Sequence, residues 1–223
     1  MGSTANTPWG VTVSLMAAMT PSLTGMAATS SLSASSRPSS LSAQAAVLLE
    51  AGQSRVLTAL NEHQRLPMAS TTKIMTALVV LENAADLDAT VTIPQLASGI
   101  TGTSIYLTAG EKLTVRQLLM GLLLRSGNDA AVALAWYAGG SVEDFVKLMN
   151  ARAEDMGVDA TFANPHGLDA QGHAASARAM ALIARQALQN PEFARIVSTQ
   201  RAVIPWDGNT YNRMLQTKNR LLW

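Results

Sequence analysis

PMASTTKIMTALVVLEN, residues 67–83, is the stretch that decides how this chain folds. After Pro67 the run from 70 to 83 is apolar on nearly every side, through Ile74, Met75, Ala77, Leu78, Val79, Val80 and Leu81. A helix that is apolar all round must be buried, so this one is expected at the centre of the molecule. Ser70 and Lys73 open it. Their i, i+3 spacing puts a hydroxyl and an amine on one face, one turn apart. An amine held against an apolar helix is desolvated, which disfavours its charged form and lowers its pKa. A neutral lysine can then accept the serine proton and turn a weak alcohol into a nucleophile. The positive end of the helix would favour the oxyanion of an acyl-transfer intermediate. Taken alone, S-x-x-K is a weak signal, since chance supplies about one in a chain of this size. Here it is the only match among four lysines, and it lies at a helix start.

Working outward, residues 45–49 and 55–60 read as two short strands turning at Gly52, an expected β-hairpin. Downstream, helices are expected over 113–124 with Thr114 as cap, 128–138 closed by Gly139-Gly140, and 142–156 with Ser141 as N-cap and Gly157 as stop. A loop is expected over 164–172, a further helix over 174–189 ended by Asn190-Pro191, and a strand over 199–205. Between two of these helices lies Ser126-Gly127-Asn128. On such a turn Ser126 could pass a proton to a leaving amine and Asn128 could hold a substrate amide. From these residues alone a plain N-cap pair is the favoured reading.

Composition narrows the class. The chain has 223 residues, 48% of them hydrophobic and only 14% charged, which is enough for one sizeable core. The net charge of +1 and the 4% aromatic content give no footprint for nucleic acid. With no cysteine, disulfides and thiolate chemistry are excluded. Residues 1–46 carry a single charged side chain, Arg37. Residues 11–28 are mostly apolar, and nine of the fourteen residues over 29–42 are Ser or Thr. Residues 1–44 therefore read as a signal-like apolar segment with a polar linker, and the chain is expected to be exported. No Lys or Arg precedes the apolar run, and it is short and broken for a membrane span.

The segments MASTTKIMTAL (68–78), LLLRSGNDAAVALA (122–135), FVKLMNARAEDMGV (145–158), FANPHGLDAQGH (162–173) and ALQNPEFARIVST (187–199) resemble one family, in its order. It is the low-molecular-weight penicillin-binding proteins, the serine-type D-alanyl-D-alanine carboxypeptidases of bacterial cell-wall metabolism. The resemblance covers residues 45–223 and implies an α/β (α+β) fold of the DD-peptidase/β-lactamase-like transpeptidase kind: a helical subdomain plus an antiparallel sheet. It implies Ser70 as the nucleophile, Lys73 as its proton acceptor, Ser126 as a proton relay and Asn128 as a substrate holder. The implied substrate is a peptidoglycan stem peptide ending in D-Ala-D-Ala. β-Lactams would acylate Ser70 as inhibitors, and no metal or organic cofactor is implied. The implied place is the periplasmic or extracellular face of the cell membrane. Family members often carry an anchor beyond the point where this chain stops, so membrane association is part of the expectation.

Two departures stand out. The family often has S-T-A-x-D after Gly-His, whereas Ala179 occupies the acid's position here. The third signature of the family, K-T-G, is absent: the four lysines are followed by Ile, Leu, Leu and Asn. The chain is therefore expected to be a member cut short before K-T-G, with its C-terminal strands missing, impaired activity, and a hairpin and buried helix left without a sheet to pack on. A DD-endopeptidase, or a remnant that binds penicillin or peptidoglycan without turnover, is the alternative. A class A β-lactamase is disfavoured, because the loop 164–172 has no Glu to serve as deacylating base. His166 and His173 are expected to be loop residues bonded to backbone rather than metal ligands or a triad base.

Overall fold

The computed structural model describes residues 42–223; the apolar segment over 11–28 and most of the Ser/Thr tract lie outside the described residues. In chain order the elements are β1 (Ala46–Leu49), β2 (Val56–Leu60), β3 (Arg65–Leu66), α1 (Thr72–Asn83), β4 (Thr90–Thr92), β5 (Lys112–Thr114), α2 (Val115–Arg125), α3 (Asn128–Gly139), α4 (Val142–Asp155), β6 (Ala160–Thr161), β7 (Ala174–Ser176), α5 (Ala177–Leu188), α6 (Pro191–Val197), β8 (Arg201–Ile204) and β9 (Arg213–Gln216). The strands form four small antiparallel sheets, β1-β2, β3-β7-β6, β4-β5 and β8-β9.

Helix α1 is the hub. Met75, Ala77, Leu78, Val79 and Val80 are each at most 2% exposed, and the helix packs against α2, α3, α4 and α5. The partners of α1 are helices, and β1 lies on α5 through Ala45, Val47, Leu49, Ala177 and Ala181. Helix α3 is alanine-rich, and every residue from 128 to 135 is buried, because small side chains let neighbouring helices approach closely. Helix α4 shows one apolar stripe, Phe145, Met149 and Ala153 at i, i+4, i+8, as a surface helix should.

Local chemistry sets the boundaries. Thr114 caps α2 in a reciprocal box with Gln117, and Ser141 caps α4 by accepting from the Asp144 amide. The helix expected over 174–189 begins later, because residues 174–176 pair with β3 and β6 and Ser176 caps α5 at the Ala179 amide. Ala179 therefore sits inside a cap. Asn190-Pro191 does not simply end a helix. Asn190 caps α6, with Pro191 at its first position, where a missing amide costs nothing. The expected strand near 199–205 is β8, and it gains an unanticipated partner in β9.

Two contacts hold the site-bearing segments in place. Arg213 on β9 and Glu111 just before β5 form a two-pronged pair with side chains 3% and 0% exposed, and Arg213 Nη2 also donates to the Tyr106 carbonyl. Gly167, at φ +90°, lies so close to the turn before α1 that a Cβ there would fall 1.9 Å from the Ala69 carbonyl oxygen.

Two outcomes are expected in denaturant titrations. Glu111→Ala strands a buried guanidinium and should cost about 3–5 kcal/mol, while the double change Glu111→Leu with Arg213→Met should recover most of it. Gly167→Ala should destabilise far more than Gly172→Ala. Both glycines have positive φ, but a Cβ at 172 meets nothing within 4 Å.

Candidate active site

Ser70 does not open the α-helix itself. It sits in a short 3₁₀ turn, Ala69–Thr71, and the α-helix starts at Thr72. Thr71 tightens the turn by donating its hydroxyl to the Met68 carbonyl at 2.6 Å. Ala69 adopts φ +46°, a left-handed conformation that costs a non-glycine residue about 1–3 kcal/mol. The result is an exposed serine directly ahead of a buried helix.

Lys73 is 2% exposed. Its Nζ donates to Ser70 Oγ at 3.2 Å, to Asn128 Oδ1 at 2.8 Å and to the His166 carbonyl at 2.6 Å. An ammonium has three N–H groups, and all three are used. Burial first, and then the nearby positive charge of Lys218, lower the Lys73 pKa to about 8, with Asp129 opposing the shift. At neutral pH roughly a tenth of such an amine is uncharged. The neutral form keeps two N–H groups and one lone pair. Two of its three partners are carbonyl oxygens, which can only accept. The lone pair is therefore left for the third, Ser70 Oγ, which can donate. This is the geometry a general base needs.

The residues around the pair explain their placement. Asn128 starts α3; its Nδ2 donates to the Thr101 carbonyl at 2.7 Å and its backbone amide to the Thr103 carbonyl at 2.7 Å. Its Oδ1 is thereby turned to Lys73, and one Nδ2 hydrogen remains for a ligand. Ser126, the left-handed C-cap of α2 at φ 61°, has a buried Oγ with no hydrogen-bond partner among the described residues. The structure thus joins Ser70, Lys73 and Asn128 into one network, whereas Ser126 Oγ bonds to none of them.

Two histidines act through structure. His173 Nδ1 accepts from the Ala163 amide at 3.0 Å, so the proton lies on Nε2 and is donated to Thr72 Oγ1, 2.8 Å away. Burial lowers its pKa, against the pull of Asp169, and this keeps the ring neutral. His166 contributes its backbone carbonyl, and its ring is held neutral by burial first and then by Lys73 and His173, with a pKa lowered to about 4.

Two participants were not found from sequence. One is the His166 carbonyl. The other is Asp129, 1% exposed, which accepts from the Ile105, Leu107 and Ala130 amides and the Ser104 hydroxyl. It thereby fixes residues 104–107, next to the carbonyls that grip Asn128. An acid in the first turn of α3 was a visible signal for Asp129. No residue type signals a carbonyl.

Comparison with known proteins identifies the family. The chain is 39% identical over 161 residues to the D-alanyl-D-alanine carboxypeptidase DacF of Bacillus subtilis, covering 70% of this chain and 41% of that protein. It is 38% identical over 190 residues to DacD of Escherichia coli K12, covering 79% and 47%. The chain therefore spans less than half the length of these relatives. Among solved structures, the D-alanyl-D-alanine carboxypeptidase of Mycobacterium tuberculosis superposes with TM-score 0.75 at 34% identity, covering 80% of this chain and 67% of that one. A mutant of the Streptomyces K15 DD-transpeptidase superposes with TM-score 0.76 at 32% identity, covering 82% and 76%. With residues 31–223 matching the peptidase S11 family, this chain belongs to the D-alanyl-D-alanine carboxypeptidases.

Proposed function

We propose that the chain is a serine-type D-Ala-D-Ala carboxypeptidase acting on peptidoglycan stem peptides. One observation carries this reading: a buried amine whose two N–H groups are held by Asn128 Oδ1 and the His166 carbonyl and whose remaining position faces Ser70 Oγ. Neutral Lys73 takes the Ser70 proton as Oγ attacks the carbonyl carbon of the penultimate D-alanine. The C–N bond then breaks, the terminal D-alanine leaves with a proton returned to its nitrogen, and water hydrolyses the Ser70 ester. Ser126, with its unengaged hydroxyl, relays that proton, and Asn128 uses its remaining N–H on the substrate amide. β-Lactams acylate the same oxygen. Residues 45–223 form the catalytic unit, and residues 1–44 serve export to the outer face of the cell membrane, where the substrate lies. No helix among the described residues is long and apolar enough to cross a membrane.

The test is labelled penicillin followed by mass spectrometry, with D-alanine release measured alongside. A label on Ser70 with release supports the reading. A label without release reduces it to penicillin binding, and a label on another residue overturns it. Lys73→Met should slow acylation about 10²–10⁴-fold, the usual share of a general base. Because the uncharged amine is the active form, the acylation rate should climb as pH rises through about 8 and level off above it. Lys218→Ala removes a charge that disfavours the Lys73 ammonium, so that limb should move to higher pH. Ser126→Ala removes a hydroxyl with no partner, so it should shift the melting temperature by no more than about 2 °C. It should nevertheless cut acylation at least about tenfold if the relay operates.

A further inference from the structure

The loop that supplies the His166 carbonyl is tied by two of its own side chains: His166 Nδ1 accepts from the Leu168 amide at 3.2 Å, and Asn164 uses both ends of its amide. Asn164 Oδ1 accepts from the Gly167 amide at 2.7 Å, and Asn164 Nδ2 donates to the Leu168 carbonyl at 2.8 Å. Both ends of the amide are spent within residues 164–168. The closed turn touches α1 and the turn before it at three points. The His166 carbonyl lies 2.6 Å from Lys73 Nζ, the Pro165 carbonyl accepts from the Thr76 hydroxyl at 2.6 Å, and Gly167 abuts the Ala69 carbonyl next to Ser70. Below it, His173 pins the same segment to Thr72. A backbone carbonyl has no side chain of its own to aim it, so its direction depends on whatever closes the turn.

We propose that Asn164 is a positioning residue: by closing the 164–168 turn it holds the His166 carbonyl on the Lys73 amine, and so fixes where that amine's lone pair points. The inference rests on the role assigned to Lys73 above but is read out on the amine itself. The charged and titratable groups around that amine are Asp129 from α3, Lys218 from the segment after β9, and the rings of His166 and His173 from this loop. None is altered by a change at 164. Opening the turn lets water reach Nζ, and since burial is the largest cause of the lowered pKa, the amine should become easier to protonate.

The experiment is NMR titration of isotopically labelled lysine in the full chain, where four lysines make assignment direct. Asn164→Ala should raise the Lys73 midpoint from about 8 by roughly one unit, with a tenfold lower acylation rate at pH 7. Asn164→Ser, whose hydroxyl can still accept from the Gly167 amide, should give a smaller rise and keeps the test open should the alanine variant not fold. Gly172→Ala perturbs the far end of the same loop and should leave the midpoint in place. A midpoint that is unchanged or falls in the Asn164 variants, or that moves equally in Gly172→Ala, overturns the proposal. A wild-type chain that takes no penicillin overturns the functional reading instead, while the titration still decides the role of Asn164.

Discussion

A lysine amine sealed inside a small-residue helical core must find acceptors or give up its charge, and the site follows from that constraint. Lys73 meets three oxygens from three separate stretches of chain: the Ser70 turn, the start of α3 and the 164–168 loop. Stranding such a group would cost several kcal/mol, so the three stretches are bound to one another through it. Partial satisfaction is also what makes the amine useful. Burial draws it toward neutrality, and its remaining valence faces the one partner that carries a transferable proton.

Backbone strain is present at the site, as it is at Ser54, Asn61 and Tyr106. Ala69 and Ser126 are left-handed without being glycine, and Gly167 is left-handed against a carbonyl oxygen. Strained positions of this kind persist only where surrounding contacts over-determine them. Here the supporting contacts are legible: the Thr71 bond to Met68, the Asn164 turn, and the Asp129 carboxylate that collects three amides and a hydroxyl. Ser126 is the exception, a buried hydroxyl that the described residues leave unengaged. Buried hydroxyls are nearly always bonded, and the relay proposed for Ser126 would give this one a partner only when substrate arrives.

The family relationship rests on agreement at two levels at once. Identity near 38–39% with curated relatives and TM-scores near 0.75 with solved structures point the same way. The match to the relatives covers less than half of their length.

Much was legible before any coordinates. The buried helix, the caps at Thr114 and Ser141, the hairpin at Gly52 and the pairing of Ser70 with Lys73 all follow from short-range spacing, because helix faces and caps depend on residues three or four apart. Less was legible where long-range pairing overrode local preference. Residues 174–176 read as helix but are drawn into a strand by partners more than ten residues away, and β9 could not be inferred without β8 beside it. The amino acids themselves determined which side chains could do acyl transfer and which helix would bury the lysine among them. Only the tertiary structure decided that a carbonyl at position 166 meets the amine and that the Asn164 side chain closes the turn which carries it. A peptide oxygen is the same at every residue, and what it binds is set by where the folded chain places it.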